Sequence, residues 1–184
     1  MQIRQRFRVG LLVGVLGVLL GLGGVMAWVL YDLPSIDNIG AGMALPSTRI
    51  YDRHDRLLYE ILPPEQGRNN ILTLDEMSPY CVDAIIATED ANYFNHPGVD
   101  PVGIARALWI NLQGGEIIAG GSTITQQTVR ILLLDPQQQA QRTLRRKLRE
   151  MLLALQLQAR YSKADVLALY MNQVYFGNLA YGID

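Results

Sequence analysis

No charged residue occurs between Val9 and Tyr31. This run of 23 residues is about 34 Å long as a helix, enough to cross a bilayer core of roughly 30 Å. Such a segment has to sit in lipid, in a protein core or in a leader that is removed. A core helix rarely runs so long or follows a basic cluster like Arg4, Arg6 and Arg8. A cleaved signal has a shorter apolar stretch and a small-residue site, which Met26, Ala27 and Trp28 match poorly. The segment therefore reads as one transmembrane helix over 9–31. The positive-inside rule puts the basic tail, 1–8, in the cytoplasm and the remainder outside the plasma membrane. Trp28 and Tyr31 would sit at the outer interface. The pairs Gly10/Gly14 and Gly17/Gly21 permit close helix packing, but such spacings are common in any glycine-rich span.

Composition narrows the function classes. Sixteen Lys+Arg against 17 Asp+Glu leave a net charge of −1, so no nucleic-acid partner is expected on overall basicity. With 49% hydrophobic and 18% charged residues, the chain is not wholly disordered. Cys81 is the single cysteine, which excludes an internal disulfide and a Cys-rich zinc site. His54 and His96 alone are too few for a histidine-built metal cluster.

After the anchor, 32–47 reads as a linker and 48–184 as the domain. Pro34 to Pro46 is rich in Gly, Ser, Asn and Pro. Thr48–Tyr51 and Leu57–Ile61 flank a polar turn and predict a short β-hairpin, ended by Pro63 and Pro64. The rest predicts helices. Ser78 and Pro79 start one that runs to about Glu89. Asp100 and Pro101 start a second, stopped by Gly114 and Gly115. A third begins near Ser122 and ends before Pro136. A fourth spans about Gln138 to Arg160, with Leu144, Leu148, Met151, Leu152, Leu155 and Ala159 on one face. Ser162 and Asp165 have capping-box spacing and start a fifth.

The charges are segregated along this domain. Residues 32–129 hold 13 acidic and five basic groups, whereas 130–150 hold six basic and two acidic. A solvated helix face is the bland reading of that basic block.

Four clusters can carry chemistry. Glu89 and Asp90 close an apolar helix. An apolar wall would make either carboxylate a better base, and Tyr93, Phe94 and His96 can close a pocket around it. A solvent-facing acidic loop is the alternative. Gly120 and Gly121 lead into a polar stretch in which Thr123, Gln126, Gln127 and Arg130 share one helix face. That stripe suits a sugar or phosphate, or is a well-capped surface helix. Arg145, Arg146, Lys147 and Arg149 can neutralise a pyrophosphate leaving group, or simply pair with Glu150 at helical spacing. Tyr170 to Gly182 is an aromatic, glycine-containing exit from a helix that suggests packing more than catalysis.

In this order, behind a membrane anchor, the clusters resemble the peptidoglycan glycosyltransferases (glycosyltransferase family 51) of class A penicillin-binding proteins and monofunctional transglycosylases. The matching residues are Glu89, Asp90, Tyr93, Phe94, His96 and Gly98; Gly121 to Gln127 with a cation at Arg130; Arg146, Lys147 and Glu150; and Tyr170, Asn172, Phe176, Gly177, Tyr181 and Gly182. The resemblance implies a mainly α, lysozyme-like fold behind one transmembrane helix, and polymerisation of lipid II into β-1,4 glycan with inversion. It implies Glu89 as the general base and Glu150 as a second catalytic carboxylate that positions the donor pyrophosphate, directly or through a divalent cation, Mg or Mn. No organic cofactor is implied. Arg130, Arg146 and Lys147 would stabilise the departing undecaprenyl pyrophosphate. Ser122, Thr123, Gln126, Gln127 and Asn172 would bind the substrate, and Asp90, Tyr93 and His96 would shape its pocket. The partners implied are lipid II, the growing glycan strand, the membrane and other cell-wall synthesis proteins.

Two departures stand out. Position 130 is Arg where many members have Lys, which changes the geometry of the cation. The sequence also stops at Asp184, where the family continues into a further helix and a fifth motif. None of the five serines opens a Ser-x-x-Lys. The expectation is an incomplete domain from a bifunctional protein. The alternatives are a non-catalytic membrane-anchored scaffold that binds lipid II and, on fold type alone, a lytic glycosidase.

Overall fold

The computed structural model describes residues 2–43, 47–61, 71–114, 120–177 and 180–183. Pro63, Pro64, Gly115 and the last part of the segment read as a linker, 44–46, lie outside the described residues. The chain divides into two compact units, Met1–Leu33 and Pro34–Asp184.

The first unit is a single helix, α1 (Gln2–Leu30), in which Gly10–Leu30 is long and apolar enough to cross a membrane. Its described side chains from Gly10 to Trp28 are exposed, as a lipid-facing helix requires.

The second unit begins earlier than expected. Pro34 to Gly42 is not a linker: Ile36–Asn38 forms a 3-10 turn and Ile39–Gly42 a short helix, α2. Ser35 caps the turn by accepting from the Asp37 N–H at 3.2 Å. Ile36 and Ile39 are buried, and Arg160 pairs with Asp37. Only two apolar side chains anchor this piece, too few to show as a period in the sequence.

The expected hairpin forms from β1 (Thr48–Tyr51) and β2 (Leu57–Ile61), with Thr48 opposite Ile61, Arg49 opposite Glu60 and Ile50 opposite Tyr59. Asp52 shapes its turn by accepting from the backbone of His54 and Arg56 at 2.7 and 3.0 Å. The remaining helices are α3 (Pro79–Glu89), α4 (Pro101–Gly114), α5 (Ile124–Leu133), α6 (Pro136–Ala140), α7 (Leu144–Arg160) and α8 (Lys163–Gln173). A second antiparallel pair, β3 (Tyr175–Gly177) and β4 (Ala180–Tyr181), follows. The domain is mainly α with a short hairpin near its start, as the sequence predicts.

Two helix assignments need correction. The fourth predicted helix is two, because Asp135 caps a short α6 through the Gln138 N–H at 2.8 Å and Thr143 starts α7 afresh through the Arg146 N–H at 3.2 Å. The buried face of α7 is also not the stripe through Leu144 and Leu155, both of which are exposed. It carries Arg149, Glu150, Leu153, Ala154 and Leu157, because α5 packs there. α5 lies between α7 and α8. Ile124 of α5 joins Met77, Tyr93, Leu167, Tyr170 and Met171 in the core.

Candidate functional site

The site grows from the joint between α3 and α5. Glu89 is the last residue of α3 and is exposed. Asp90 follows in a non-helical conformation and is buried. One turn of geometry thus sends two adjacent carboxylates in different directions.

Asp90 is locked in place. Both of its oxygens lie 3.0 Å from His96 Nε2, and Oδ2 also accepts the backbone N–H of Ile124 at 3.1 Å. The Gly98 N–H donates to His96 Nδ1 at 3.2 Å, so His96 carries its proton on Nε2 and donates it to Asp90. A carboxylate on the first N–H of α5 also suits the positive end of the helix dipole. Thr123 caps α5 by accepting from the Gln126 N–H at 3.2 Å and donates to Gly98 O at 2.6 Å. This network ties the end of α3, the 96–98 turn and the start of α5 into one piece.

Glu89 faces the resulting cleft. Its Oε2 accepts from Gln127 Nε2 at 2.8 Å, and the Tyr170 hydroxyl lies 3.4 Å from Gln127 Oε1. Burial, reinforced by the negative charge of Glu89, pushes the Tyr170 hydroxyl up to about 12, with Arg130 acting in the opposite direction. The cleft has a volume of about 640 Å³. Its walls are the end of α3 with Glu89 and Asp90, the start of α4 with Asp100 and Arg106, and the turn Gly120–Thr123. Gly121 allows a close approach there: a Cβ would sit 3.1 Å from the Ile104 Cα and would press α4 back by a few tenths of an ångström.

The basic block sits on α5 and α7. Lys147 Nζ donates to Ser122 Oγ and Gln126 Oε1, each at 2.6 Å. Arg146 Nη1 donates to Gln139 O at 2.8 Å. Arg146 Nε and Lys147 Nζ lie 3.5 and 3.6 Å from the carboxylate of Glu150, which is fully buried. Burial pushes the Lys147 ammonium down, Arg130 and Arg146 push the same way, and Glu150 opposes them. Arg130 is half-buried at the end of α5 and has no ion pair among the described residues.

Apart from His96, which holds Asp90, and Arg130, half-buried near the end of α5, the sequence-predicted site residues fall into three groups. Glu89, Asp90, Ser122, Thr123 and Gln127 come together around the cleft. Behind the start of α5, Gln126 and Glu150 are buried and the half-buried Arg146 and Lys147 lie against them. Tyr93 and Asn172 turn inward. Tyr93 is fully buried and donates to Lys163 O at 2.8 Å, with the Lys163 ammonium 4.3 Å from its ring centre. Asn172 holds the Leu72 backbone, accepting its N–H through Oδ1 at 2.9 Å and donating from Nδ2 to its carbonyl at 2.8 Å, and is not among the residues that line the Glu89 cleft. Burial pushes the Tyr93 hydroxyl well above its usual range.

Asp100 and Arg106 were not singled out by sequence. Asp100 read only as a helix start, yet its side chain lines the cleft. Arg106 is the only basic residue between Arg68 and Arg130, and a lone cation on an apolar helix was the available signal.

Glu150, the carboxylate expected to meet a divalent cation, is fully buried and lies 3.5 and 3.6 Å from Arg146 and Lys147, whereas Glu89 and Asp90 line the cleft.

The transglycosylase family model matches residues 54–184. Over 180 residues the chain is 34% identical to penicillin-binding protein 1A of Aquifex aeolicus, covering 95% of this chain and 24% of that protein. It is 39% identical to penicillin-binding protein 1A/1B of Bacillus subtilis, over 94% of this chain and 18% of the relative. It is 36% identical to penicillin-binding protein 1A of Escherichia coli, over 94% and 20%. The chain thus spans about a fifth of the length of the curated relatives it matches. The family match encloses every residue of the Glu89 cleft, and the chain, membrane-anchored through α1, belongs to the transglycosylase family.

Proposed function

We propose that this chain polymerises lipid II into β-1,4-linked glycan at the outer face of the plasma membrane, with its basic tail in the cytoplasm. The observation that carries the reading is Glu89. It is an exposed carboxylate at the mouth of a cleft of about 640 Å³, held by Gln127, one turn of α5 ahead of the half-buried Arg130.

In this reading Glu89 takes the proton from the acceptor's 4-hydroxyl as that oxygen attacks the anomeric carbon of the donor sugar. The new C–O bond forms on the face opposite the phosphate, which inverts the centre. The bond to phosphate breaks with its electron pair on the departing undecaprenyl pyrophosphate. Arg130 and the remaining donors of Arg146 offset that developing charge. Thr123 and Ser122 on the cleft wall orient the sugars, and the Asp90–His96 pair keeps the wall rigid. The growing glycan strand is the second substrate, and other cell-wall synthesis proteins are the expected partners.

The test is polymerisation of lipid II by the full chain in detergent. Glu89→Gln should lower the rate about 10²–10⁴-fold while lipid II still binds. A Glu89→Gln variant as fast as the wild type would overturn the assignment of the base. Lipid II binding by the wild type with no polymer formed would favour the scaffold reading instead.

A further inference from the structure

Lys163 opens α8 (Lys163–Gln173). A cation in the first turn faces the positive end of the helix dipole, so nothing local favours it there. Its Nζ is buried and has no hydrogen-bond partner among the described residues. What it meets is a ring: Nζ lies 4.3 Å from the centre of Tyr93, within reach of a cation–π contact. Tyr93 is fully buried, and its hydroxyl donates to Lys163 O at 2.8 Å, so the two residues are joined twice. Tyr93 is also tied to the turn that follows Glu89. Its N–H donates to Asp90 O at 2.8 Å, and its ring centre lies 6.2 Å from that of His96.

Asp90 is short of a counter-charge. Its carboxylate takes the His96 ring N–H and the Ile124 N–H, both neutral donors, and a buried carboxylate without an opposite charge is costly. Lys163 supplies that charge from behind Tyr93: burial pushes its ammonium down, and Asp90 favours the charged form. Asp165, the acid nearest to Lys163 in sequence, is held by Ser162 through Oδ2. Lys163 is not among the residues that line the Glu89 cleft.

Resting on the glycosyltransferase reading above, we infer that Lys163 is a positioning residue for Glu89. From the start of α8 its buried charge holds the Tyr93 ring and counters Asp90, which keeps the turn after Glu89 seated on the start of α5. It touches neither the substrate nor the reacting atoms.

The full chain in detergent, supplied with lipid II, tests this with two substitutions that separate charge from packing. Lys163→Met keeps an aliphatic stem and removes the charge. It should lower kcat about tenfold or more, inside the range that a misplacement of about 1 Å can cost, while KM for lipid II rises less than about threefold. Lys163→Arg keeps the charge, and a guanidinium stacks well on an aromatic face, so kcat should stay within about threefold of the wild type. Support by the stem alone predicts the reverse order, with Met active and Arg impaired. The losses of Tm for Lys163→Met and Asp90→Asn should fail to add, since each single change strands a buried charge that the double change removes.

A smaller loss of kcat in Lys163→Met, a larger rise in KM, or a Lys163→Arg enzyme slower than that limit would overturn the inference. So would additive losses of Tm. If Lys163→Met does not fold, Lys163→Gln removes the same charge with a polar side chain and is held to the same kcat and KM outcomes. A wild type that makes no glycan would sink the glycosyltransferase reading, and the Tm cycle would still decide whether Lys163 counters Asp90.

Discussion

Gly98 shows how much of the site hangs on single backbone positions. Its φ is +100°, a conformation that side chains disfavour, and a Cβ there would lie 2.7 Å from the carbonyl oxygen of Ala154. Its N–H holds His96 and its carbonyl takes the Thr123 hydroxyl. Gly98→Ala should therefore cost roughly 2–3 kcal/mol and disturb the cleft, whereas Gly40, with open space at its Cβ position, should tolerate Ala. Thermal melting of both variants checks this, and equal melting points would refute it. At this scale Glu89 and Gln127 were legible, since a carboxylate closing a helix and a polar helical stripe are visible in spacing. The seat of Asp90 on His96 and Ile124 was not, because it joins residues 34 positions apart. Nor was the inward turn of Tyr93 and Asn172, whose polar atoms look like site chemistry until their backbone partners are known.

Helix ends were the most readable elements. Ser162 and Asp165 form a reciprocal capping box at α8, with the Ser162 hydroxyl 2.6 Å from Asp165 Oδ2. Hydrogen bonds from the Ser162 side chain and backbone hold the Asp165 carboxyl below its usual value. A depressed carboxylate contributes stability above its unfolded value and loses that contribution as pH falls through its folded value. The gap in Tm between wild type and Asp165→Asn should thus be widest near neutral pH and shrink below about pH 4. A gap that stays constant from pH 7 to pH 3 would argue against the box. Ser78, by contrast, starts α3 with no side-chain cap bond, and Pro79 in the first turn marks that start. The break between α6 and α7 was missed because Gln138 to Leu144 continues a helix-favouring composition. It depends on Asp135 and Thr143 acting as caps.

The largest-scale correction concerns where the domain begins. The unit after the anchor starts at Pro34, because Ile36 and Ile39 are buried and α2 packs on α5. A chain starting at Pro34 should melt cooperatively. One starting at Thr48 should be less stable by roughly 3–6 kcal/mol, the value of two buried isoleucines. Denaturant unfolding of the two truncations checks this, and indistinguishable midpoints would restore the linker reading.

The sequence by itself determined the membrane helix, the hairpin, most helix starts and the order of the polar clusters. These rest on local properties: an unbroken apolar run, proline and capping residues, and spacings within one or two turns. Only the tertiary structure decided which face of α7 is buried, since that helix is apolar on more than one side and the choice lies with α5. It also decided which polar residues meet solvent. Glu89 and Glu150 are alike as letters. One ends a helix at an open cleft, and the other is enclosed where α5 packs over α7 with its charge met by two cations.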